Sequence, residues 1–243
     1  MTELLYMDTV NDCYIKDFEA EVVGVEEGEH PAIMLDRTAF YPLGGGQPND
    51  IGKIRWKSGS CKVVEVVKKN RIKHFIQGDI PSVGERVMGE LDWEMRYAHM
   101  RMHTAQHLLS ALIWNRFRAS TVGNQIHADY SHIDFHPAEF SMEDLKDIER
   151  EVNEMIKKDE PVIVDHLPRE EVTSRIENER VDLSRLPSFI KELRTVYIGE
   201  SGDIDICPCA GTHVRRLSEL KGIEIIKRKS KGQDKIRVQY KLR

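Results

Sequence analysis

The sequence predicts an α+β chain in two parts: a small N-terminal β-barrel, then an α+β part with a mostly antiparallel sheet and one long helix. Three observations carry this. Short runs rich in Val, Ile and Phe, separated by turn residues, fill the stretch to about Asp92. From Trp93 to Phe117 there is no Gly or Pro, and Met95, Met102, Ala105, Leu108, Leu109, Leu112 and Ile113 recur at helical spacing. Further helices and short strands follow, the pattern of helices laid on an antiparallel sheet. The expected domains are residues 1–92 and 93–243.

Taken in order, FEAEVVGVEEG (Phe18 to Gly28) alternates in part, with Val22 and Val23 breaking the pattern. PAIMLDRTAFYP follows a turn at Gly28-Glu29-His30. CKVVEVVKK and RIKHFIQG are short strands separated by Asn70, and GERVMGELDW closes the set. After the long helix comes a strand pair in TVGNQIHADYSHIDFHP. Ser141 caps a second helix, SMEDLKDIEREVNEMIKK, whose acids Glu143 and Asp144 suit its first turn, and Pro161 is expected to end it. PVIVDHL reads as a strand, about Arg169 to Ile176 as a short helix, RTVYIG and DIDIC as strands, and Gly222 to Leu242 as a hairpin.

Composition narrows the function classes. The 243 residues are 40% hydrophobic and 32% charged, which suits a packed core under a charged surface. No stretch approaches the roughly 18 consecutive apolar residues of a membrane helix. Met1 to Cys13 lacks the basic-then-apolar pattern of a secretion signal, so a cytoplasmic protein is expected. A net charge of -5 argues against a general nucleic-acid binder. The charge is uneven, however: Asp17 to His30 is acidic, while KRKSKGQDKIR (Lys227 to Arg237) is a basic strip able to hold phosphates. The four cysteines (Cys13, Cys61, Cys207 and Cys209) do not suggest a disulfide framework. Cys207 and Cys209 are too closely spaced for an easy disulfide and suit a metal better.

Three features carry chemistry. His103 and His107 lie four apart on the long helix, so both rings reach one face; His99 with His103 does the same, and His132 and His136 share the spacing. His99 and His107 stand about 12 Å apart along the axis and cannot share one tetrahedral ion, so the site uses 99 with 103 or 103 with 107. Cys209 and His213 in CAGTH add a second pair, and His, His, Cys and His together offer the nitrogen and thiolate donors that zinc prefers. The third feature is FYPLGGGQP (Phe40 to Pro48), whose glycines permit close backbone approach and free N–H groups; no Lys-Ser or Lys-Thr follows, so it is not a P-loop.

FYPLGGGQPNDIG (Phe40 to Gly52), RMHTAQHLLSAL (Arg101 to Leu112), CAGTH (Cys209 to His213) and IIKRKSKG (Ile225 to Gly232) occur in one order over nearly the whole chain. In this the chain resembles the AlaX family, detached copies of the editing domain of alanyl-tRNA synthetase, and it is similar to the medium-length type that keeps an N-terminal β-barrel. The resemblance implies one zinc ion per chain on His103, His107, Cys209 and His213. It also implies that Gly44, Gly45, Gly46 and Gln47 border the aminoacyl pocket and that Thr38 reads a serine hydroxyl. Ala210 stands where many relatives have Gly, which matters only if the position needs a positive φ. Cys207 is an extra thiol able to compete for the metal.

The implied activity is a zinc-dependent deacylase acting in trans on mischarged tRNA(Ala), with serine removed and glycine left open. Pocket discrimination between alanine and serine is worth only about 1–3 kcal/mol, so a second, hydrolytic sieve is needed. No side-chain base is assigned; an activated water or a polarised ester carbonyl at zinc supplies the chemistry. Lys227, Arg228, Lys229 and Lys231 are the expected tRNA contacts, and the charged surface suits a monomer without membrane association. Competing readings are a zinc-stabilised tRNA-binding module without catalysis, a redox sensor on Cys207 and Cys209, and a zinc peptidase. The last fails because no Glu follows His103.

Overall fold

A computed structural model describes residues 2–177, 179–181, 183–185 and 187–243. Its N-terminal part contains β1 (Glu3–Leu4), β2 (Asp17–Glu26), β3 (Ala32–Leu35), β4 (Arg37–Thr38), β5 (Gly52–Trp56), β6 (Gly59–Lys68), β7 (Ile72–Gly78) and β8 (Arg86–Leu91). Six of these close a barrel in the order β2-β3-β7-β6-β5-β8, while β1 and β4 pair in parallel. Inward residues such as Val22, Ile33, Leu35, Phe40, Ile54 and Val66 form its core. The break at Val22 and Val23 is a β-bulge: the register against β3 shifts between Val22 and Gly24. The short β5 carries little local strand pattern, although Ile54 is buried between the outward Lys53 and Arg55.

The second part begins with α1 (Trp93–Phe117), capped at its start by Asp92, whose carboxylate accepts the Met95 N–H at 3.2 Å. Arg118 ends it in the left-handed region at φ 55. Then come β9 (Ser120–Gln125), β10 (Ser131–His136), α2 (Met142–Lys158), β11 (Val162–Pro168), α3 (Arg169–Arg175), β12 (Glu192–Ile198), β13 (Asp205–Pro208), β14 (Ile223–Ser230) and β15 (Ile236–Leu242). One antiparallel sheet runs β14-β15-β10-β9 and a smaller one β11-β12-β13. Ser141 and Asp144 form a capping box at the head of α2. The helix stops before Pro161 is reached: Asp159 turns left-handed at φ 57, and Pro161 instead bridges to Arg216. No helix among the described residues is long and apolar enough to cross a membrane.

The main core gathers α1, the inward face of α2 (Leu145, Ile148, Val152) and the inward face of the four-stranded sheet (Ile133, Phe135, Val238). Barrel and helix are tied by Arg96, fully buried on α1. Its guanidinium donates to both Asp50 carboxylate oxygens, to the Cys13 carbonyl at 2.9 Å and to the Ala39 carbonyl. Asp50 also accepts the Tyr41 N–H at 2.6 Å, so one ion pair fixes both ends of the glycine-rich segment against α1.

Candidate metal centre

His103 and His107 project from one face of α1, and the irregular CAGTH segment after β13 brings Cys209 and His213 over them. One donor atom from each of these four residues lies within 4.8 Å of the others, so together they could hold a metal ion. The Cys209 Sγ stands 3.6 Å from His103 Nε2 and 3.5 Å from His213 Nε2. Gly211 lets this happen, because a Cβ there would strike the His103 ring. Ala210 is not among the left-handed residues, so its methyl group carries no backbone strain.

The far nitrogen of each ring is held by a partner. His103 Nδ1 donates to the Gln47 Oε1 at 2.8 Å. The Gln47 amide is itself oriented, its Oε1 accepting the Thr212 N–H at 3.1 Å and its Nε2 donating to Thr212 Oγ1 at 2.9 Å. His107 Nδ1 pairs with Asp205 Oδ2 at 2.8 Å, and Asp205 is held on its other oxygen by Arg180. His213 Nδ1 meets the Thr104 hydroxyl at 3.1 Å. Partners of this kind fix ring orientation and tautomer and leave Nε2 for an ion.

Charge follows the same arrangement. Burial alone would push the Cys209 thiol up, but the His103 and His107 rings outweigh it and hold the thiol well below its ordinary value. A thiolate is the form that binds metal. Burial pulls His107 down, yet Asp205 and Cys209 raise it to about 10. Burial keeps His213 well below its ordinary value and therefore neutral. Cys207 stays outside the cluster as a thiol, pushed up by burial.

A cavity of about 460 Å³ adjoins the cluster at His107 and is lined among others by Gln106, Ser110, Thr121, His136 and Cys207. Thr121 Oγ1 donates to Ser110 Oγ at 2.9 Å, so two hydroxyls sit side by side in its wall. A groove of about 560 Å³ on the barrel wall, lined by Ile51, Lys53, Lys62 and Glu90, has none of the cluster residues in it.

The structure brings together His103, His107, Cys209, His213 and Gln47. His99 lies one turn earlier on α1, buried, its Nδ1 without a hydrogen-bond partner among the described residues. The glycine-rich loop is a tight turn in which Gly44 and Gln47 exchange backbone hydrogen bonds at 3.2 and 2.9 Å, so those two N–H groups are spent internally. Gly45 and Gly46 are left-handed at φ 58 and 80, and the loop docks on β9, where Asn124 donates to Gly45 O and Ile126 N donates to Gly46 O. Thr38 is placed elsewhere: it is fully buried, its hydroxyl 2.9 Å from His74 Nε2 while accepting the Phe40 N–H. That hydroxyl is committed within the barrel and is absent from the cavity wall. Lys227, Arg228, Lys229 and Lys231 are exposed on β14 and the following turn, with Arg228 bent back to donate to the Phe140 carbonyl at 2.6 Å. Sequence reasoning missed Asp205, Thr104, Ser110 and Thr121. Thr104 stands inside HTAQH and Ser110 one turn beyond, but Asp205 and Thr121 arrive from strands that only folding brings near.

Residues 2–95 match the family described as tRNA synthetases class II (A), and residues 193–239 match the threonyl and alanyl tRNA synthetase second additional domain. The chain is 39% identical to alanyl-tRNA editing protein AlaX-M of Methanosarcina mazei, over 100% of this chain and 97% of that protein. It is 35% identical to alanyl-tRNA editing protein AlaX-L of Pyrococcus horikoshii over 99% of this chain but 58% of that longer one. It is 37% identical to an alanine–tRNA ligase of Pyrobaculum calidifontis over 93% of this chain and 25% of the ligase.

Proposed function

The chain belongs to the AlaX-M family of alanyl-tRNA editing proteins, and from that membership we propose that it hydrolyses the ester of mischarged tRNA(Ala) in trans, removing serine. We further propose that His103, His107, Cys209 and His213 hold one zinc ion. The single observation that carries this is a cysteine sulfur and a ring nitrogen from each of three histidines gathered beside a cavity with the Ser110 and Thr121 hydroxyls in its wall. The spacing fits the ion. Tetrahedral zinc with Zn–S near 2.3 Å and Zn–N near 2.0–2.1 Å sets sulfur and nitrogen about 3.6 Å apart, against 3.6 and 3.5 Å at Cys209.

When bound, zinc supplies a Lewis acid that lowers the pKa of water or polarises a carbonyl. The chain's own residues do the rest. Gln47, Asp205 and Thr104 orient the three rings. Thr121 and Ser110 offer partners to a hydroxyl on the acyl group, the role that the family resemblance implies for Thr38. An alanyl group in the same place leaves those polar atoms unpaired, which disfavours it. On this reading the barrel (1–92) supports the second domain (93–243) by presenting Gln47, and one chain furnishes every residue named.

A second reading has a specific observation behind it: four protein donors make a closed set, typical of structural zinc. Hydrolysis of Ser-tRNA(Ala) and Ala-tRNA(Ala), with and without a chelator, separates the two. Fast, chelator-sensitive loss of serine with alanine retained is expected. Binding of tRNA with neither ester cleaved above the buffer rate would leave only a zinc-stabilised binding module.

A further inference from the structure

The four-stranded sheet β14-β15-β10-β9 packs one face on the helices and turns the other outward. Strand alternation puts His132, Asp134 and His136 of β10 on that outer face, with Arg237 and Gln239 of β15 and Lys227 and Lys229 of β14. Register aligns them into rows. Lys229, Arg237, Asp134 and Gly123 form one; Lys227, Gln239, His132 and Gln125 form the next. A third holds His136 opposite Ser120, and both of these line the cavity beside His107. The face therefore begins at the rim of the candidate active site.

Its charge is directional. Near the middle, Asp134 neutralises Arg237 through hydrogen bonds of 2.7 and 2.9 Å and draws Lys235 to 3.8 Å. Lys227, Lys229 and Lys231, farther from the cavity, make no ion pair among the described residues. With strands about 4.8 Å apart and about 6.8 Å per residue pair along a strand, Lys229 and Lys227 lie roughly 12 and 17 Å from His136. That distance suits a few nucleotides of extended chain. Half-exposed His132 and Gln239 lie between, the former offering a ring for a base and the latter an amide for an edge.

We propose that this open face is the track of the single-stranded 3′ end of the tRNA: the terminal ester enters the cavity past His136, a base lies over His132, and preceding phosphates rest on Lys229 and Lys227. The track rests on the editing reading above, and it differs from a general basic strip. Arg228 is excluded, since its guanidinium is turned to the Phe140 carbonyl, while His132 and His136 of another strand are included.

The test measures binding of uncharged tRNA(Ala) across a salt series, for the whole tRNA and for one stripped of its single-stranded 3′ nucleotides. The variants are Lys227→Ala with Lys229→Ala, and His132→Ala, with Lys53→Ala on the barrel as control. The double variant should lower the salt slope by about 1.4 for the whole tRNA, at about 0.7 for each single-strand phosphate. His132→Ala should weaken the whole tRNA and leave the stripped one untouched, and Lys53→Ala should change neither. An unchanged slope in the double variant, or equal losses on both RNAs, overturns the track. So does a double variant that loses binding to phosphatidylserine vesicles while keeping tRNA. Ser-tRNA(Ala) hydrolysis by the unaltered chain is read in parallel. Its absence alongside the expected slopes would sink the editing reading alone, and its presence with flat slopes the track alone.

Discussion

Replacing Gln47 by alanine tests whether the glycine-rich segment serves the metal centre. The side chain is fully buried and satisfies three groups: the His103 Nδ1–H, the Thr212 N–H and the Thr212 hydroxyl. Alanine leaves two N–H donors without acceptors, at about 1–3 kcal/mol each, so the apo protein should lose about 2–6 kcal/mol, less if water enters. Losing the partner of a metal-bound histidine typically weakens the metal 10–100-fold, about 1.4–2.7 kcal/mol. Gln47→Glu keeps an acceptor for His103 and should restore most of the metal affinity while remaining less stable, because the donation to Thr212 is gone. Zinc competition against a chromophoric chelator, with melting of the apo and zinc-loaded forms, reads both quantities. Destabilisation by alanine with zinc affinity within twofold of the unaltered chain would refute the argument and leave Gln47 a packing residue.

Other expectations follow from the same contacts. Asp50→Asn strands the fully buried Arg96 charge and should cost about 3–5 kcal/mol by denaturant unfolding; a loss under 1 kcal/mol would show that the pair is solvated. Burial holds His74 at about 4 in the fold against an ordinary 6.5, so its stabilisation is complete above pH 6.5 and is lost as pH falls to 4, by roughly 3 kcal/mol. His74→Gln should flatten the stability–pH curve over that window, and an unchanged curve would count against the assignment. Thr121→Val removes a hydroxyl from the cavity wall and should narrow the preference for seryl over alanyl ester by about 1–3 kcal/mol, or about 5–150-fold in relative rates. Equal preference in both proteins would place the selecting group elsewhere.

The sequence by itself determined the features that depend on near neighbours. The gap free of Gly and Pro gave α1 its bounds, Ser141 with Asp144 gave α2 its start, and the His103–His107 spacing put two rings on one face. Ordered motifs pointed to the family and to four donors, and the structure gathers those four into one cluster. What depends on distant segments was not legible. β5 is short, and its pairing with β6 and β8 gives it a place that local pattern alone does not announce. The resemblance gives Thr38 the serine hydroxyl, and only barrel closure reveals that His74 stands against its side chain. Gln47 looks like a pocket residue until the loop docks on β9 and turns its amide to His103. Asp205 and Thr121 reach the site from strands 98 residues after His107 and 11 after Ser110. Periodicity records which face a side chain takes on its own element. Only the packing of elements decides what that face meets, and the hydrogen-bond partners of the His103, His107 and His213 rings are chosen by that packing.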